Sequence, residues 1–291
     1  MADAKAHKLG QMIGEFIEKY FEEQLLSICN DRNLYLDVVG KVRRARKGKK
    51  VKWIDVYGSY HDLDFVIERN GTEDSLGIPA ALIECAWRRY TKHSKNKAQE
   101  IQGAVLPIAE KYKHHKPFLG AVIAGVFTAP SIEQLNACGF ETLYIEYQSI
   151  VEAFRMLNID VSFEENTPDD EAALKIQAIQ QLTHEQYRQI FNKIMELSSE
   201  KVAHFKSSLI ASLDRQVSRI IIAPLYGVSS SFDTVDDALL YIDSFNANLI
   251  PHDVSFEKLY IALEYSNTDK ITGEFSSKEK AKQFLENIVR V

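Results

Sequence analysis

The order of apolar patterns in this chain predicts an α/β fold: a mixed β-sheet flanked by helices, then a helical segment and a small α+β module. Three observations predict it. A long amphipathic helix opens the chain, a run of short strands follows, and helices then alternate with apolar strands. Strands joined by turns pair antiparallel, whereas strand–helix–strand order implies parallel crossovers, so the two together give a mixed sheet.

The first helix is expected over about residues 8–29, where Ile13, Phe16, Ile17, Tyr20, Phe21, Leu25 and Ile28 recur at three- and four-residue spacing. A strand at 34–39 follows, and the Arg43 to Lys50 segment with Gly48 reads as a hairpin connection into a strand at 51–57. Further strands are expected at 61–68 and 80–87, with Asn70-Gly71 as the turn between them. A helix over about 94–112 is bent at Pro107. It leads to an apolar strand at 118–127, a short helix at 131–137 ending at Gly139, a strand at 142–147 and a helix at 149–157.

The acidic, proline-containing loop Glu164 to Glu171 lacks periodicity and reads as a boundary, which closes a first domain at residues 1–163. Helices at about 170–181, 183–197 and 199–216 make a connector over 164–216, and Thr183 with Gln186 forms a capping box. The module at 217–291 reads strand–helix–strand–strand–helix, with strands at 219–225, 258–265 and 270–275 and helices at 234–245 and 277–289. The serines Ser229 to Ser231 read as a loop, without the context of a nucleophile elbow.

Composition narrows the functional class. No run of about eighteen apolar residues exists to span a bilayer, and Met1 to His7 lacks the apolar core of a secretory signal. Cys29, Cys85 and Cys138 are scattered and lack metal-finger spacing, which suits small buried hydrophobes in a reducing cytoplasm. The histidines His93, His114 and His115 show no zinc spacing. The net charge of -6 hides a split: residues 41–116 carry 17 Lys and Arg against 9 Asp and Glu, and residues 151–291 carry 14 against 22. In the densest stretch, Arg43, Arg44, Arg46, Lys47, Lys49 and Lys50 are candidates for gripping a phosphate backbone. The competing reading is a solvated hairpin tip.

Two strands interrupt their apolar runs with acids. Alternation in His61-Asp-Leu-Asp-Phe-Val-Ile67 puts Asp62 and Asp64 on one face. In Leu82-Ile-Glu-Cys-Ala-Trp87, Glu84 shares a face with Ala86. Buried carboxylates on neighbouring strands need a counter-charge, and Asp64 with Glu84 suits one hydrated divalent cation. Such an ion polarises a scissile phosphate and acidifies a bound water. The competing reading makes Asp62 a turn residue, Asp64 an edge acid and Glu84 a partner of Arg88. His61 beside Asp62 is a weaker candidate base, and Trp53 and Trp87 flank the site.

This arrangement of helix, strands, Asp64, Ile83-Glu-Cys-Ala86 and a basic helix resembles the PD-(D/E)XK nuclease superfamily, over about residues 8–157. The resemblance implies a restriction-endonuclease-like core in which Asp64, with Asp62 as the alternative, and Glu84 hold Mg2+, with Mn2+ able to substitute. The chain departs from that pattern at Ala86, where the superfamily usually places a lysine that activates water and offsets negative charge. The resemblance then points to a cation from the following helix, first Lys97 and next Lys95, with Arg88 as a clamp, Arg89 on the backbone, and Gln99 and Glu100 completing the shell.

The expectation is a Mg2+-dependent deoxyribonuclease acting on DNA, in a restriction or phage-defence role. The C-terminal half would serve specificity, homodimerisation or docking to a partner subunit. The alternative is a nuclease-fold subunit that binds DNA or protein without cutting.

Overall fold

The computed structural model describes residues 5–91, 94–224, 228–245 and 258–289. The expected positions His93 and Leu225 lie outside them. The chain divides into two units: residues 1–111 with 118–210, and residues 112–117 with 211–291.

The first unit is a mixed α/β sandwich. Helix α1 (Lys5–Asn30) precedes β1 (Tyr35–Val38), β2 (Val51–Ile54), β3 (Tyr60–Leu63), β4 (Phe65–Arg69) and β5 (Ile78–Arg88). Then come α2 (Ser94–Lys111), β6 (Phe118–Gly125), α3 (Ala129–Ala137), β7 (Glu141–Glu146) and α4 (Tyr147–Arg155). Its sheet has the order β1-β4-β5-β6-β7. The β1, β4 and β5 strands pair antiparallel, and β5, β6 and β7 pair parallel across the helical crossovers. The continuous apolar run of β6 is what a strand covered on both faces requires.

Helices α5 (Asp169–Gln180), α6 (His184–Leu197) and α7 (Ser199–Leu213) were expected as a separate connector. They pack instead into the first unit, except for the last turn of α7. The reason is aromatic. Phe16 of α1 meets Phe154, Tyr187 and Phe191, and Phe21 meets both Phe65 and Phe205. These rings tie α1, α4, α6 and α7 to one side of the sheet. The Thr183–Gln186 capping box forms as expected.

The basic segment is no hairpin connection. β1 pairs with β4, while β2 pairs with β3 in a separate two-stranded ribbon. The expected strand 61–68 is therefore two, parted at Asp64. The ribbon turn is held by Asp55, whose carboxylate accepts from the Tyr57 and Ser59 amides and pairs with His61 Nε2 at 2.8 Å.

In the second unit, β8 (Val217–Pro224), β9 (Ser230–Phe232), α8 (Val235–Ser244), β10 (Leu259–Tyr265), β11 (Lys270–Phe275) and α9 (Lys278–Val289) follow in order. Its antiparallel sheet runs β11-β10-β8-β9 over a core of Ile220, Ile222, Leu259, Ile261, Leu263, Ile242 and Leu285. The serines read as a loop contribute β9, because Ser231 pairs with Ile221 and Ser230 with Ile222. Among the described residues no helix is long and apolar enough to cross a membrane.

Candidate active site

The site grows from the break between β3 and β4. Phe65 pairs with Ile83, so β4 begins just short of Glu84, and β5 runs on to Arg88 without β4 beside it. An exposed strand edge needs partners for its amides. Asp64 supplies one: its Oδ2 accepts from the Cys85 amide at 2.8 Å, while its own amide donates to Glu84 Oε1 at 3.3 Å.

The structure thus brings Asp64 and Glu84 together. Glu84 is 6% exposed, and burial pushes its carboxyl up to about 8, with the neighbouring Asp64 charge adding to the shift. Burial also raises Asp64, against the opposing effects of the Cys85 amide and the Lys97 charge. Cys85, whose amide Asp64 holds, is raised well above the usual thiol range by burial and then by the charges of Asp64, Glu18 and Glu84.

Sequence reasoning missed a third acid. Glu18 of α1 is pushed up to about 7, by burial first and by Asp64 next. Its signal was the stripe Gly10, Gly14, Glu18, four residues apart on one helix face. A Cβ at Gly10 would lie 3.1 Å from the Trp87 indole nitrogen, and one at Gly14 would lie 3.1 Å from Trp87 Cβ. The two glycines let α1 lie directly on Trp87, which sets Glu18 one turn further along, beside the acids of the strands. Trp87 and Cys85 point towards α1, so alternation sends Glu84 and Ala86 to the other side, where Lys97 of α2 bears on Glu84.

Around the open end of β5 lies a cleft of about 730 Å3, lined by Glu18, Ala86, Trp87, Arg88, Tyr90 and Lys97 among others. Lys97 Nζ lies 3.6 Å from Glu100, and Arg88 lies 3.7 Å from the same carboxylate oxygen. Lys95 and Gln99 are exposed.

Several expected site residues are placed elsewhere. Asp62 is turned away from Asp64 and pairs with Lys50 at 2.5 Å, because it belongs to the ribbon and not to the sheet. Arg43 is no phosphate contact: its side chain is 1% exposed and pairs with Asp37 and Glu68, while also donating to the Thr72 and Ser75 carbonyls. Arg46 joins it on Asp37, and Arg44 pairs with Asp74. Arg89 is 13% exposed, stacks 4.0 Å from the Tyr147 ring centre and donates to the Phe163 carbonyl. Arg43, Arg46 and Arg89 are held by the fold because a buried guanidinium needs acceptors, whereas Arg44 and its partner Asp74 are both exposed. Lys47 and Lys49 remain exposed. Trp53 is core, and Cys138 is exposed where a buried thiol was expected.

The donor set suits a hydrated Mg2+, which is held by one or two carboxylates and keeps several waters. Asp64 and Glu84 supply two carboxylates whose proton affinity burial raises, with the Asp64 charge raising Glu84 further. Among the described residues no group of three His, Cys, Asp or Glu is arranged to hold a metal ion. No family model, curated protein or solved structure matches this chain.

Proposed function

We propose that this chain is a Mg2+-dependent phosphodiesterase acting on DNA, built on a restriction-endonuclease-like core. The observation that supports it is the meeting of Asp64 and Glu84 at the open end of β5, with Lys97 bearing on both. Asp64 and Glu84 would hold the ion, which supplies Lewis-acid polarisation of the phosphate. Lys97 offsets negative charge that develops on the phosphate, the task that Ala86 cannot perform. Glu18, a third acid lining the cleft, would accept the proton of the attacking water.

Incubating plasmid DNA with Mg2+ or Mn2+ tests this reading, with Asp64→Ala and Glu84→Ala as controls. Nicking or linearisation that both variants lose is the expected result. Intact plasmid with either ion, under conditions in which the protein is folded, refutes it.

Two observations favour a second reading, a nuclease-fold subunit that binds without cutting. Ala86 stands where the motif lysine belongs, and Arg43 and Arg46 of the basic stretch are tied to buried acids within the fold. A salt-sensitive gel shift without cleavage would be its signature.

A further inference from the structure

We propose that the cleft at the end of β5 seats one unpaired nucleotide, with its phosphate against Arg88 and Lys97 and its base against Trp87 and Tyr90. The substrate is then a single strand or a frayed end in preference to an intact duplex. The inference rests on the phosphodiester reading above and names the form of nucleic acid that the site accepts.

Size is the first argument. At about 730 Å3 the cleft has the volume of a small-ligand site, and a duplex with its bases stacked and paired cannot enter it. A base already out of the stack can enter without the few kcal/mol that flipping costs.

The lining is the second. Trp87 and Tyr90, both half-buried, give the cleft an aromatic side that the buried Phe163 also borders, and stacking on exposed rings binds any base without reading its sequence. That side is braced: Arg89 lies 5.2 Å from the Tyr90 ring centre and 5.6 Å from that of Phe163, with its Nε on the Phe163 carbonyl.

The third is the cationic corner. Arg88 and Lys97 share one oxygen of Glu100 at 3.7 and 3.6 Å, both too long for hydrogen bonds. Glu100 is 59% exposed, so its hold on them is weak and screened. An incoming phosphodiester carries the same charge, and its oxygens can make the short contacts that Glu100 does not. Glu100 therefore occupies the place of the phosphate until substrate arrives. Glu18 and Lys97 line the same cleft, as do Cys85 and Ala86 next to Glu84 on β5, so a phosphate held here lies beside the reacting acids, which are not themselves part of the lining.

The test uses the full chain carrying Asp64→Asn and Glu84→Gln, which removes both cleavage and carboxylate repulsion, in buffer with EDTA. Fluorescence anisotropy compares a labelled twelve-nucleotide oligothymidylate with a blunt duplex of the same length. The single strand should bind at least tenfold more tightly, Arg88→Ala should erase that preference, and Glu100→Gln should tighten single-strand binding about threefold. Equal affinity for the two DNAs, or a preference untouched by both substitutions, overturns the proposal. Because no cleavage is read, a single-strand preference in a protein that never cuts DNA would sink the hydrolase reading alone.

Discussion

Glu84 Oε1 accepts the amide of Asp64 at 3.3 Å, while the Asp64 carboxylate accepts the amide that follows Glu84. The two acids are therefore locked together through the backbone and cannot move apart to relieve their repulsion. With Glu18 nearby, the site can lower its charge only by taking up a proton, recruiting a cation or leaning on Lys97.

The pH dependence of stability follows from that lock. Glu84 rises from 4.5 to about 8 and Glu18 from 4.5 to about 7 on folding, so the native state binds more protons than the unfolded one between those limits. Stability from these groups is fully present below 4.5 and is lost as pH rises through about 8. In EDTA, Tm should fall across that window. Glu84→Gln should flatten the fall and stabilise the protein at its upper end, by on the order of 1–3 kcal/mol. Mg2+ should raise Tm most at the alkaline end, where protons no longer compete for the carboxylates. A Tm that climbs with pH in EDTA would contradict this account.

Much of the fold was legible because its signals are periodic. The apolar face of α1, the continuous run of β6 and the Thr183 capping box each state their structure locally. Asp64 and Glu84 stood out as acids in apolar runs. What escaped was non-local: Glu18 acquires its role only because Gly10 and Gly14 bring α1 onto Trp87. The fate of Arg43 was equally hidden, since Asp37 and Glu68 lie on neighbouring strands whose pairing the local sequence does not state. A basic cluster reads the same whether its charges meet solvent or buried acids.

Arg43 and the lysines beside it should consequently separate stability from binding. Arg43→Ala leaves the buried Glu68 without its guanidinium, while Asp37 keeps Arg46, and should cost about 3–5 kcal/mol in urea unfolding. Replacing exposed Lys47 and Lys49 by Glu should leave the urea midpoint nearly unchanged. It should weaken DNA binding and reduce its salt slope by about 1–2. Full stability in Arg43→Ala would show that the internal ion pairs are not what hold this segment.

Two helical glycines should respond oppositely to the same change. Gly103→Ala in α2 places its Cβ where no atom lies within 4 Å, so it should stabilise by up to about 1 kcal/mol through helix propensity. Gly14→Ala gains the same propensity but sets its Cβ 3.1 Å from Trp87 Cβ, which is anchored in a strand paired with β6. The strain should win, with a net loss of about 1 kcal/mol and a change in tryptophan emission. Equal stabilisation by both substitutions would mean that α1 does not depend on this close approach.

The proposal that Lys97 supplies the cation that Ala86 cannot is tested by moving the charge. Lys97 reaches the acids from α2, and Ala86 lies on the same side of β5 as Glu84, at the cleft. Lys97→Ala should lower the rate of Mg2+-dependent cleavage by on the order of 100-fold or more, the scale of losing one charge-stabilising donor. Adding Ala86→Lys to that variant restores the cation from the strand and should recover a substantial part of the lost rate. Ala86→Lys alone places two cations in one corner and should depress the pKa of Glu84, shifting the alkaline limb of the Tm profile. Rescue would show that the chemistry needs a positive charge at this corner and is indifferent to which element delivers it. Full activity in Lys97→Ala would assign the task to Lys95 or Arg88.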